Sequence, residues 1–208
     1  MAHPATEVRP PGRPREFEVD DVLDRAIEVF RERGYEASSM ADIERATGLN
    51  MSSIYNTFGS KQTLFNRSLA RYESVRLAGI VDLLATGTEG LADLHRALEL
   101  QRAESVSEWG HGGCLAINTM IELGPRAGDT KEVLADFRRR LAEAIRLPLD
   151  RAVALGEVSS HRVSTAVALL VTFTLGVGVL MRSGASDVEL ATHFEAAHAL
   201  VESWKIQR

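Results

Sequence analysis

The sequence predicts an all-α protein, and three observations carry that expectation. Apolar residues recur at helical spacing, as at Leu23, Ala26, Ile27 and Phe30, which share one face of a helix. Five of the six prolines lie at or before position 125, which leaves long stretches free of the residue that most disrupts helices. No segment shows strand-like alternation of useful length. The 208 residues, 45% hydrophobic and 25% charged, supply an ordinary globular core. They allow one large domain or two small ones.

The elements follow in order. Residues 1–16 carry Pro4, Pro10, Pro11 and Pro14 with charge and no apolar periodicity, and are expected to be a flexible basic arm. A first helix begins near Asp20 and ends at Gly34, a residue tolerant of positive φ. Ser39 caps a second helix, with Asp42 in capping-box position and Ile43 and Ala46 facing inward. Gly48-Leu49-Asn50 is a tight turn, and Asn50 caps a short third helix bearing Ile54, Tyr55 and Phe58. Gly59 ends it, and Ser60 caps a long fourth helix from Lys61 to about Ala85. Glycine-rich breaks then divide the remainder into helices near 91–108, 114–123, 130–155, 163–182 and 187–206. The expected organisation is an arm at 1–16, a small helical domain at 17–66 and a larger helical bundle at 67–208.

The net charge of −5 argues against a chain that is basic throughout, but basic residues cluster locally. Residues 8–15 hold Arg9, Arg13 and Arg15 with no acid; residues 48–76 hold Lys61, Arg67, Arg71 and Arg76 against Glu73 alone. A single cysteine, Cys114, excludes an intramolecular disulfide and fits a reducing compartment. The first fifteen residues lack the apolar segment of a secretory signal, so a cytoplasmic protein is expected. Residues 163–181 form an uncharged run of borderline spanning length between Arg162 and Arg182. Its Ser164, Thr165, Thr172, Thr174 and two glycines read as a buried soluble helix, with no membrane partner.

The second and third helices, joined by a glycine-containing turn, fit a helix-turn-helix. The second helix of such a pair enters the major groove with its N-terminal residues at the base edges, here Met51, Ser52 and Ser53. The segment ASSMADIERATGLNMSSIYNTFGSKQTLF, preceded by AIEVFRERGYEA, closely resembles the DNA-binding domain of the TetR/AcrR family of transcriptional regulators. The resemblance covers roughly residues 20–66. It rests on Ala26 and Phe30 before Gly34-Tyr35, on Ile43 and Ala46 before Gly48, and on Ile54-Tyr55, Phe58-Gly59-Ser60-Lys61 and Leu64-Phe65.

That resemblance implies roles. Met51, Ser52, Ser53 and Asn56 would read bases, and Tyr55 would contact a base or phosphate. Ser39, Thr57 and Lys61 would hold phosphates of double-stranded operator DNA. Lys61 lies in the first turn of the fourth helix, where a phosphate would also meet the helix N-terminus. The turn wording Leu49-Asn50-Met51 departs from the family's usual valine, serine and basic residue, which bears on base preference. Arg13 and Arg15 of the GRPR arm suit a narrow A·T-rich minor groove.

The resemblance also implies a homodimer formed by the last two long helices, with Val177 in the apolar seam and Gly176 and Gly178 allowing close approach. It further implies an unidentified small-molecule effector in the C-terminal half. The candidate lining residues there are Trp109, His111, Cys114, Asn118, Met120 and Phe137. Cys114 opens a helix, a position that lowers a thiol pKa. An electrophile- or redox-sensing repressor acting through Cys114 is therefore the alternative to a reversible pocket. Neither a catalytic constellation nor a cofactor or metal motif is read. GHGG at 110–113 lacks a following Lys-Ser/Thr, and His193 and His198 are five apart rather than four.

Overall fold

The computed structural model describes residues 18–76, 78–107 and 109–207. The basic arm, with Arg13 and Arg15, lies outside the described residues, as does the side chain of His111. Among the described residues the architecture is all-helical. The helices are α1 (Val19–Arg33), α2 (Met40–Thr47), α3 (Met51–Phe58), α4 (Lys61–Arg76), α5 (Ala78–Thr86), α6 (Leu91–Ser105), α7 (Leu115–Leu123), α8 (Thr130–Ala154), α9 (Val163–Arg182) and α10 (Asp187–Glu202). The stretch read as one fourth helix is helical on both sides of position 77, which lies outside the described residues.

Local chemistry sets the helix ends. Ser39 and Asp42 form a reciprocal capping box at α2. Asn50 Oδ1 accepts from Ser53 N at 2.8 Å to start α3, and Ser60 Oγ accepts from Thr63 N at 3.0 Å to start α4. Gly48 closes α2 in the left-handed region at φ 71°, which sets the turn between α2 and α3. The 25-residue α8 runs through an interior proline, Pro148, whose ring is buried despite the lost backbone donor.

Apolar packing forms two cores. The first joins α1–α4 to α7 and the start of α8 through Phe30, Ile43, Ile54, Phe58, Leu64, Phe65, Ile117 and Phe137. The second joins α5, α6, the later part of α8, α9 and α10 through Leu84, Leu98, Ile145, Leu170, Phe194 and Val201. The N-terminal helices therefore share their core with α7 and α8 rather than closing on themselves.

The uncharged α9 is not buried all round. Val163, Ala166, Val167, Leu170, Val177 and Gly178 face inward. Thr165, Ala168, Leu169, Thr172, Gly176 and Val179 form an exposed stripe along the other side. By length and composition Ser160–Arg182 also passes as a possible membrane span, with a third of its apolar window buried. Two sequence expectations are corrected here. Val177 is 2% exposed within its own chain, so it is protomer core and not a seam residue. Gly178 approaches Ile117 of the same chain, since a Cβ there would stand 2.4 Å from Ile117 Cδ1; only Gly176 is on the outer side.

Candidate nucleic-acid interface and internal cavity

The helix-turn-helix is built as its sequence suggests. Ile54 and Phe58 are buried beneath α3, which turns Ser52, Tyr55 and Asn56 outward. Tyr55 is 45% exposed, a large aromatic side chain left uncovered on an outer face. Met51, Ser53 and Thr57 lie at the partly covered flanks. A second acceptor supports the start of α3: Glu44 Oε1 accepts from Met51 N at 3.0 Å. Glu44 thus reaches across the turn from α2 and satisfies an amide that the helix itself leaves unpaired.

The predicted phosphate ligands all have partners within the protein. Lys61 Nζ donates to Ser38 O at 2.5 Å and lies 4.5 Å from the centre of the Tyr35 ring. This holds an ammonium beside the N-termini of both α2 and α4, with Glu122, Asp42 and Glu36 also in its field. Partial burial lowers the Lys61 pKa, against the pull of Glu122, Asp42 and Glu36. Ser39 Oγ is engaged with Asp42, donating to Oδ2 at 2.6 Å. That bond holds the Asp42 carboxyl down at about 2. Thr57 Oγ1 donates back to Ser53 O at 2.9 Å. All three groups are therefore engaged within the protein: the two hydroxyls serve their own helices, and the half-buried lysine binds Ser38 O and the Tyr35 ring.

A cavity of roughly 220 Å³ lies between the two cores. Tyr72, Cys114, Ile117 and Phe137 come to its wall from the first core; Leu84, Leu98, Ile145 and Leu170 come from the second. Two contacts tie it to the DNA-reading helices. Trp109, on the wall, carries the Arg31 guanidinium of α1 3.7 Å above its ring, and Arg31 also donates to Trp109 O. Helix α7 begins beside the cavity at Cys114 and Ile117. At its far end Glu122 accepts from Tyr35 N at 2.9 Å and Glu36 N at 2.7 Å, clasping the turn between α1 and α2.

Two family models match this chain. "Bacterial regulatory proteins, tetR family" matches residues 22–67, and "Tetracyclin repressor-like, C-terminal domain" matches residues 90–198. The chain belongs to the TetR family.

Among TetR-family relatives, the transcriptional repressor ComR of Escherichia coli is 29% identical, over 84% of each chain. The uncharacterized regulator YezE of Bacillus subtilis is 32% identical, over 72% of this chain and 77% of its own. A cysteine mutant of the TetR-family regulator CifR, solved with a 26-base-pair operator DNA, superposes with a TM-score of 0.82 at 26% identity. The match covers 90% of this chain and 98% of that one. This TetR-family chain is accordingly a helix-turn-helix transcription regulator, with the DNA-reading domain and the helical C-terminal domain that its sequence predicts.

Of the lining residues expected from sequence, Trp109, Cys114 and Phe137 reach the cavity wall. Asn118 and Met120 lie elsewhere. Asn118 Nδ2 donates to Gly112 O at 2.8 Å and closes the glycine loop onto α7, while Met120 packs on the first core with its sulfur 3.8 Å from Arg138. The expected activation of Cys114 is not found. Burial pushes its thiol pKa up, outweighing the backbone amides of Ile117 and Ala116 at the helix start. Burial likewise raises the Tyr72 phenol.

The polar feature that sequence reasoning passed over is Glu73, noted only as the one acid in a basic stretch. It is 3% exposed, lines the cavity and takes an ion pair from Arg140 through Oε2. Desolvation raises its pKa from 4.5 to about 7, with Arg140 opposing and Asp136 reinforcing. The folded state therefore holds this proton more tightly than an unfolded chain does. The buried carboxylate costs nothing below about pH 4.5, and its penalty grows to an order of 3 kcal/mol by about pH 7. Glu73→Gln is expected to flatten the decline in stability across that window, read as the urea midpoint against pH. An unchanged decline would show that Glu73 does not carry it.

Proposed function

We propose that this regulator is a cytoplasmic, homodimeric repressor of a palindromic operator, released by a small molecule that occupies the cavity. The observation that carries this reading is the cavity's position. Its occupant touches walls belonging to both the DNA-reading core and the second bundle, with Trp109–Arg31 and α7–Glu122 leading directly to α1 and the turn before α2. Release needs an effector that binds the DNA-incompetent arrangement more tightly. A change of about 100-fold in operator affinity corresponds to roughly 2.7 kcal/mol of coupling. Arg13 and Arg15 would add minor-groove contacts from the arm. The exposed, charge-free stripe of α9 supports the dimer, because it is the surface a second copy would cover. Reaction at Cys114 lacks comparable support, given its raised thiol pKa.

The test is a mobility shift on the DNA upstream of the protein's own gene, titrated with small apolar molecules. A specific complex dissolved by a subset of them is expected. A specific complex that no cavity-binding molecule dissolves would overturn effector release, and absence of any specific complex would remove that DNA as the operator.

A further inference from the structure

The cavity wall is apolar except for a few groups, and one of these is chemically incomplete. Glu73 Oε2 is occupied by Arg140, whereas Glu73 Oε1 is buried and has no hydrogen-bond partner. A buried acceptor of this kind carries an unmet desolvation cost, which a ligand's donor would relieve once the Glu73 side chain, now covered by protein atoms, turns toward the cavity. Arg140 is already shared between Glu73 and Asp136, the latter meeting its Nε at 2.9 Å. Two carboxylates thus face one guanidinium, a net negative cluster, and a further carboxylate beside Glu73 would be repelled.

We infer that the effector is a compact apolar molecule with a single hydrogen-bond-donating head, hydroxyl or amine, seated on Glu73 Oε1, and that the site rejects the corresponding carboxylic acids. The inference rests on the cavity being the effector site. The body of the ligand lies against Leu98, Ile117, Phe137, Ile145 and Leu170. Since a 150 Å³ apolar cavity holds benzene, this larger one admits about eight to ten non-hydrogen atoms.

Calorimetry with four chains of matched length tests it at pH 8: 1-octanol, octylamine, heptyl methyl ether and octanoate. The alcohol and the amine are expected to bind at least about tenfold more tightly than the ether and the acid. In Glu73→Leu, which keeps the bulk and removes the acceptor, that gap closes. Glu73→Gln, the gentler change, narrows it chiefly for the amine and serves if the leucine variant does not fold. Equal affinities in the wild type, preference for octanoate, or a gap that survives both variants would overturn the inference while leaving the cavity a ligand site. Binding by none of the four would overturn it together with the effector-cavity reading. Head-group preference without release of DNA in a mobility shift would overturn the occupant as effector while leaving the site's preference for hydrogen-bond donors standing.

Discussion

Replacing Tyr55 and Lys61 together with Ala is expected to abolish specific operator binding while leaving helical circular dichroism intact. Tyr55 stands exposed on the outer face of α3 and contributes little to the core beneath it. Lys61 places its ammonium between the N-termini of α2 and α4, where a phosphate gains both charge and helix dipole. The proposed dimer would lose each contact twice. At about 1 kcal/mol per contact, four lost contacts weaken binding by about 4 kcal/mol, or close to 1000-fold. The salt dependence should flatten as well, because fewer counterions are released. The bond to Ser38 and the contact with Tyr35 are also lost, so the comparison belongs well below the melting temperature. A folded double variant with native operator affinity would remove both residues from the interface.

Thr172→Arg is expected to convert a dimer into monomers. Thr172 lies midway along the exposed stripe of α9, between Leu169 and Gly176, and its hydroxyl is bonded only within its own helix to Ala168 O. An arginine there leaves the protomer core untouched but would introduce a charge into each side of the proposed seam. The penalty is several kcal/mol. Sedimentation should report monomer, and operator affinity should fall with it, since each half-site is then read alone. Val177→Asp cannot make this distinction, because its side chain lies inside the protomer and the charge would unfold the chain. A Thr172→Arg protein that sediments as an intact dimer would place the interface elsewhere.

What the sequence made legible was local. The capping residues Ser39, Asn50 and Ser60, the left-handed Gly48 and the inward pair Ile54 and Phe58 all act within a few positions of themselves. The contacts that make the site work cross long distances in the chain. Glu122 clasps Tyr35 from 87 residues away, and Arg140 meets Glu73 from 67 away. No spacing rule announces such pairs. Cys114, at the start of α7, and Ile117 reach the cavity wall, but Met120, a further three residues on, packs on the first core beside Arg138, so helical spacing alone did not predict a shared wall. The uncharged run of α9 concealed its two sides for a related reason. Threonine, alanine and glycine face outward there, and the charges that usually mark a surface are missing.

The placement of the cavity bears on how the molecule holds together. Packed interiors transmit order because neighbouring side chains leave one another little room. Here the gap falls where two cores meet, with Leu141 among the residues packed against both. On the proposed function, an occupant would add contacts between the two cores that the free protein lacks, and is expected to raise and sharpen the melting transition. The signal that ends repression would then act by stiffening the joint between them.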